Sequence, residues 1–319
     1  MSFPFIYSIS GHENISIVEH ITKGWSCDKK YCVVENGRKY LLRISPLEKS
    51  ACRKRMFEIM QLVSGLGVPI CQPIDFGTCD DGVFSLQSWI EGEDLEDVLL
   101  LLSETEQYVL GFQSGEILRR IHSIPAPDTQ EDWEVRFARK TDNKIRKYRE
   151  CGIRFEGDDA IINYIEQNRE LLKNRPQCFQ HGDYHIGNMM LENGRLYIID
   201  FDRYDFGDPW EEFNRIVWSA QLSPHFATGQ LQGYFGGEPP IGFFKLLAFY
   251  IGSNTLSSIY WSLDYDDIEL DTMKNQAKDV LSWYDNMRNV VPTWYLKDCE
   301  YEYKWHCHRD KGGGGKDGY

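Results

Sequence analysis

Several features are missing from this 319-residue sequence. No uninterrupted apolar run approaches the roughly 18 residues that a membrane span requires, so no membrane partner is expected. The opening Met1-Ser2-Phe3-Pro4 lacks a basic segment leading into an apolar one, so no secretory leader is expected. The nine cysteines are odd in number and include no C-x-x-C pair. That favours reduced, structural thiols in a cytoplasm over a disulfide framework. Basic residues are in short supply: 35 Lys and Arg against 49 Asp and Glu give a net charge of −14. Nucleic-acid phosphates need a basic face, so a nucleic-acid partner is excluded. There are no internal repeats, and no helical His-x-x-x-His that would suit a metal-dependent hydrolase built on Asp183, Asp200, Asp202 and His181. The adjacent His306-Cys307-His308 does not make a complete metal site.

What is present is enough to fold. With 42% hydrophobic and 14% aromatic residues, the chain can bury a sizeable core, and at about 150 residues per domain it should form two lobes. The first lobe, residues 1–90, reads as strand-rich. Residues 16–21 alternate as a strand does, and apolar runs at 31–34 and 39–44 flank Glu35-Asn36-Gly37-Arg38, a hairpin signal. A helix follows over 53–66, with Met56, Ile59, Met60 and Val63 at helical spacing. Residues 84–90 form another strand, and a hinge falls at about 88–93. The second lobe, 94–298, is mostly helical: 95–102, 104–121 behind a Ser103 cap, 158–172, 210–221, 240–262 and 272–288, with short apolar runs near 178–180 and 196–201. The tail, 299–319, carries four consecutive glycines and is expected to end in disorder. The expected fold class is α+β, a small antiparallel sheet joined to a larger helical lobe.

The chemistry is concentrated in residues 178–208. His181-Gly182-Asp183 is followed by Asn188, and Asp200 closes the apolar run 196–199, giving H-G-D-x-x-x-x-N and then Asp200-Phe201-Asp202. Protein kinases carry H-R-D-x-x-x-x-N and D-F-G at these places. Transfer of a phosphoryl group to a hydroxyl explains the residue types. Asp183 can accept the hydroxyl proton, while the amide oxygen of Asn188 and the carboxylate of Asp200 are hard donors suited to Mg²⁺ beside nucleotide phosphates. A hairpin turning at Asn193-Gly194 would bring the two metal ligands side by side. His181 and His185 are expected to brace the loop, with substrate contact the alternative for His185.

The runs HGDYHIGNMM and IIDFDRYDFGDP resemble the aminoglycoside phosphotransferase family of kinase-like antibiotic and metabolite kinases, over about residues 14–290. The resemblance implies a two-lobed kinase-like fold, ATP or GTP with Mg²⁺ as cofactors, Asp183 as base, Asn188 and Asp200 as metal ligands, and a small-molecule hydroxyl as acceptor. Asp208 matches the family's second aspartate and is expected to hold the catalytic loop through backbone hydrogen bonds.

In the first lobe Arg43 stands where kinases place a lysine, and the family resemblance includes members with arginine there. Arginine keeps the charge and can grip phosphate with two hydrogen bonds. Lys39 shares its face of the strand and is the second candidate. Glu58 on the next helix is the expected ion-pair partner of Arg43. The turn 22–26, with Gly24 and Ser26, would cover the phosphates, and Ser88 to Ile90 would meet the nucleotide base. Two acidic stretches, 91–97 and 264–271, could bind the ammonium groups of an aminoglycoside, so the acceptor is read as cationic and the function as antibiotic resistance by O-phosphorylation. A macrolide, choline, homoserine or an amino sugar is the alternative acceptor. From another class, the Arg43 departure admits a nucleotide-binding regulatory pseudokinase.

Overall fold

The structure, a computed structural model, describes residues 8–12, 14–22 and 28–297. The amino-terminal part is a five-stranded antiparallel sheet of β1 (Ser16–Ile21), β2 (Lys29–Glu35), β3 (Arg38–Ser45), β4 (Pro73–Cys79) and β5 (Gly82–Ser88), in the order β1-β2-β3-β5-β4. Helix α1 (Ser50–Gly65) crosses between β3 and β4. The β2–β3 hairpin pairs Glu35 with Arg38 across a two-residue turn. Asn36 and Gly37 both take positive φ there, 50° and 75°, which is the backbone a tight Asn-Gly hairpin demands. Val33, Leu42, Ile44, Phe84 and Leu86 fill the face of the sheet turned away from Arg43, together with Ile9 and Ile15.

The larger part contains β6 (Glu93–Asp94), α2 (Leu95–Val98), α3 (Glu104–Ile121), α4 (Trp133–Glu150), α5 (Asp158–Gln167), β7 (Cys178–Gln180), β8 (Met189–Glu192), β9 (Arg195–Ile198) and β10 (Asp205–Gly207). It continues through α6 (Ile216–Leu222), α7 (Pro224–Phe235), α8 (Ile241–Ser262) and α9 (Asp267–Trp283). The fold is thus α+β, an antiparallel sheet followed by a helical part, as its pattern implies. Ser103 caps α3 in a full capping box with Glu106, which fixes the helix start at the expected residue. Helix α8 is buried almost all round and forms the centre of the large core.

Helices α3 and α7 touch backbone to backbone. A Cβ on Gly111, Gly115, Gly229 or Gly233 would lie 2.0–2.2 Å from a carbonyl oxygen of the facing helix. Distance between helix axes follows the side chains at the contact, and at these four positions there are none.

Five elements lie outside the sequence expectations: α4, α7, β4, β6 and β10. Helix α4 carries a narrow apolar stripe, Trp133, Phe137, Ile145 and Tyr148, behind an Asp132 cap, and its many charges mask that stripe. Helix α9 begins at Asp267, five residues before the expected 272, because Asp266 caps it by accepting the Glu269 N–H at 3.0 Å. The tail from 298 onward, including His306-Cys307-His308, lies outside the described residues. No described helix is long and apolar enough to cross a membrane.

Candidate active site

The segment after β7 builds the centre of the site. Gly182 has φ +85°, and a Cβ there would sit 1.9 Å from the Arg203 carbonyl oxygen, so only glycine fits between His181 and Asp183. The Gly182 N–H donates to both carboxylate oxygens of buried Glu212, at 2.9 and 3.2 Å. His181 is fully buried. Its Nε2 lies 3.0 Å from the Ile199 carbonyl oxygen, and the Asp183 N–H donates to its Nδ1 at 3.3 Å. This pairing assigns the proton to Nε2 and makes His181 a brace, as expected. Burial holds its pKa below the ordinary histidine value.

Asp183 lies among two arginines and a histidine. Its Oδ1 lies 3.3 Å from Arg215 Nε and 3.7 Å from His185 Nε2, and its Oδ2 lies 3.8 Å from Arg203 Nε. Burial alone would raise its pKa, but the adjacent His185 ring and the charges of Arg215 and Arg203 outweigh it, holding the carboxyl well below the usual carboxylate range. His185 also braces the loop by accepting the Gly187 N–H at 3.1 Å.

The two expected metal ligands come together as the hairpin predicts. Strands β8 and β9 pair Glu192 with Arg195 around Asn193-Gly194. The Ile199 N–H then donates to the Asn188 carbonyl at 3.0 Å, one residue before Asp200. Asn188 Nδ2 donates to the Asp183 carbonyl at 2.8 Å, which leaves the amide oxygen as the group available to a cation. Asp200 is exposed, with φ +64°, an uncommon backbone that aspartate tolerates better than most residues. Two hard oxygens on adjacent backbone fit Mg²⁺, which completes its shell with water and phosphate.

On the sheet side, Arg43 meets this centre through Asp202. Its Nη2 donates to Asp202 Oδ2 at 2.9 Å and to Asp28 Oδ2 at 3.3 Å. Glu58 is not its partner. It is exposed and makes no ion pair among the described residues. The reason is helical phase: Glu58 follows inward-facing Met56 by two residues, about 200° around α1. Arg53, three residues before Met56, faces inward instead, and Asp28 takes the place expected of Glu58. Lys39 pairs with Glu91 near the hinge, at 2.8 Å. Ser88 ends β5, exchanging hydrogen bonds with the Gln72 backbone, and Ile90 is buried. Gly24 and Ser26 lie outside the described residues.

Asp208 is structural, by a different route from the one expected. It is fully buried, accepts two hydrogen bonds from Arg175 at 2.7 and 3.0 Å, and accepts another from the Tyr250 hydroxyl at 2.6 Å. Glu212, four residues on, is what holds the catalytic-loop backbone. Sequence reasoning also passed over Arg53, Asp28, Arg203 and Arg215. Only Arg53 carried a readable signal, its phase on the apolar face of α1.

The model of the phosphotransferase enzyme family (APH) matches residues 17–244. The chain belongs to that family. This phosphotransferase also shares its fold with solved structures of low sequence identity. One is a thermostable mutant of the aminoglycoside phosphotransferase APH(4)-Ia in a ternary complex with AMP-PNP and hygromycin B. It has a TM-score of 0.64 at 17% identity, over 87% of this chain and 97% of that one. Another is the gentamicin–APH(2")-IIa complex, TM-score 0.54 at 18% identity, over 82% and 90%. A third is a choline/ethanolamine kinase family protein from Mesorhizobium loti, TM-score 0.64 at 16% identity, over 90% and 96%. No curated protein matches the chain.

Proposed function

We propose that this phosphotransferase moves the γ-phosphate of ATP or GTP to a hydroxyl of a small molecule, with Asp183 as base and Mg²⁺ held by Asn188 and Asp200. One observation carries the reading: the Asn188 amide is tied by its nitrogen to the Asp183 carbonyl, so base and metal ligand form one unit. Asp183, ionised among Arg203, Arg215 and His185, accepts the acceptor's proton as its oxygen attacks. A carboxylate with a low pKa suits a loose transition state, in which the proton leaves late. Mg²⁺ would neutralise charge on the phosphates. His181 and Glu212 keep the loop in place, and Arg43 grips phosphate from the sheet side. Ser88 to Ile90 meet the base. The intact base and metal ligands favour this reading over a regulatory pseudokinase.

For the acceptor, a cationic amino sugar of the aminoglycoside type is the first reading, and phosphorylation would then confer antibiotic resistance. The first acidic stretch supports it, because Glu93 and Asp94 pair with β8 and Glu96 lies beside the catalytic loop, within 3.1 Å of a Cβ built on Gly187. The second stretch supports it less, since Asp266 serves as a helix cap. The resemblance in fold to a choline/ethanolamine kinase family protein favours another small alcohol as the second reading. Phosphate transfer from ATP and GTP to hygromycin B, gentamicin, a macrolide, choline and homoserine, each with Mg²⁺ and with chelator, tests both. Transfer to an aminoglycoside supports the first, transfer to choline or homoserine alone supports the second, and chelator-resistant transfer refutes the metal role.

A further inference from the structure

Two arginines, not one, converge from the sheet side on the catalytic centre. Asp202 sits between them: its Oδ1 accepts from Arg53 Nη1 at 2.9 Å, and its Oδ2 accepts from Arg43 Nη2 at 2.9 Å. Asp28, with a fully buried side chain, lies behind the pair, 2.7 Å from Arg53 Nη2 and 3.3 Å from Arg43 Nη2. Arg53 Nε donates to Ser45 Oγ at 3.2 Å, which fixes the plane of the guanidinium. Two cations less one anion leave a formal +1, which Asp202 neutralises. Asp202 comes from the far side of the cleft, two residues beyond Asp200. A carboxylate held by two guanidiniums presents the same geometry as a phosphate held by them. A nucleotide's terminal phosphates carry more charge than one carboxylate and can displace it.

We propose that Arg53 and Arg43 form a two-arginine clamp for the terminal phosphates of the nucleotide, positioned by Asp28, and that Asp202 occupies the clamp until nucleotide displaces it. This rests on the phosphotransferase reading above and adds to it a second phosphate-binding residue and an internal competitor. Helix α1 thereby contributes a cation at its inward-facing first turn, where kinases use an anion on this helix.

The test is binding of AMP-PNP and of AMP to the full chain in chelator, by calorimetry, so that no metal contributes. Arg53→Gln should weaken AMP-PNP by about tenfold to a hundredfold, the range for losing charge-assisted hydrogen bonds, and leave AMP nearly unchanged. Arg53→Lys, which keeps the charge without the fork, should fall in between. Asp202→Asn should tighten AMP-PNP by severalfold, because a neutral amide competes less well than a carboxylate. Asp202→Asn is the variant that guards against misfolding of the arginine variants, and thermal melts of each verify folding. If folded Arg53→Gln binds AMP-PNP as the parent does, Arg53 is only a strut between the two sides. If Asp202→Asn weakens binding, Asp202 is not a competitor. Either result overturns the proposal while leaving the phosphotransferase reading standing. Absence of AMP-PNP binding by the parent itself would overturn both.

Discussion

Glu212 accepts the Gly182 N–H through both of its carboxylate oxygens, so a buried acid on the segment before α6 sets the position of the catalytic loop. Glu212→Ala leaves that N–H without its acceptor inside the protein, at a cost of about 1–3 kcal/mol. The expected result is a lower melting temperature and a lower kcat, with nucleotide affinity nearly intact. Glu212→Gln, which keeps one acceptor oxygen, should recover most of both. Gly182→Ala should be worse than either, about 2 kcal/mol or more, from positive φ and collision with the Arg203 carbonyl.

Asp183→Asn removes the proposed base while preserving shape. Turnover should fall by about 10²-fold or more, and calorimetric nucleotide affinity should stay close to that of the parent. Parent-like turnover would remove Asp183 from the role of base.

Asp200 separates two effects that are usually confounded. Asparagine tolerates positive φ nearly as well as aspartate, so Asp200→Asn should melt close to the parent and yet lose the Mg²⁺-dependent part of its nucleotide affinity. Asp200→Ala should lose that affinity and also melt lower. Equal Mg²⁺ dependence in parent and Asp200→Asn would exclude Asp200 as a ligand.

The pH dependence follows from the directions of two shifts. The Asp183 pKa lies below the ordinary carboxylate value of about 3.9, so Asp183 stays ionised and causes no loss of activity between pH 7 and pH 5. His181 is held neutral, with its folded pKa below the unfolded value of about 6.5. The stability it contributes is therefore present above about pH 6.5 and is lost as pH falls toward the folded value. Melting temperature should decline on acidification below about pH 6.5, and His181→Asn should flatten that decline. A decline of equal slope in the variant would assign it to other groups.

The sequence made the layout of one half of this candidate site readable because its parts are local. An Asn-Gly turn dictates the hairpin, and the hairpin dictates that Asn188 and Asp200 meet. The α3 start was readable for the same reason, from Ser103 and Glu106. What escaped depends on distant contacts. Asp28 and Asp202 are 174 positions apart in a chain of 319 residues, and nothing in either neighbourhood announces a shared pair of arginines. The Glu58 error differs in kind: the spacing of Met56, Met60 and Val63 already placed Glu58 on the outer face and Arg53 on the inner one. Helix α4 likewise carried its cap and stripe in plain view beneath a heavy load of charge.

The glycine contacts between α3 and α7 have a bearing on how this enzyme could diverge. The Tyr184 hydroxyl donates to the Ser114 carbonyl at 2.8 Å, anchoring the catalytic loop to α3 between Gly111 and Gly115. Because the four glycines let main chain set the spacing of that helix pair, side-chain turnover elsewhere has little lever on it. Surface substitutions elsewhere can therefore accumulate while Asp183 keeps its address, which lets the scaffold drift in sequence without moving the loop that carries its charge.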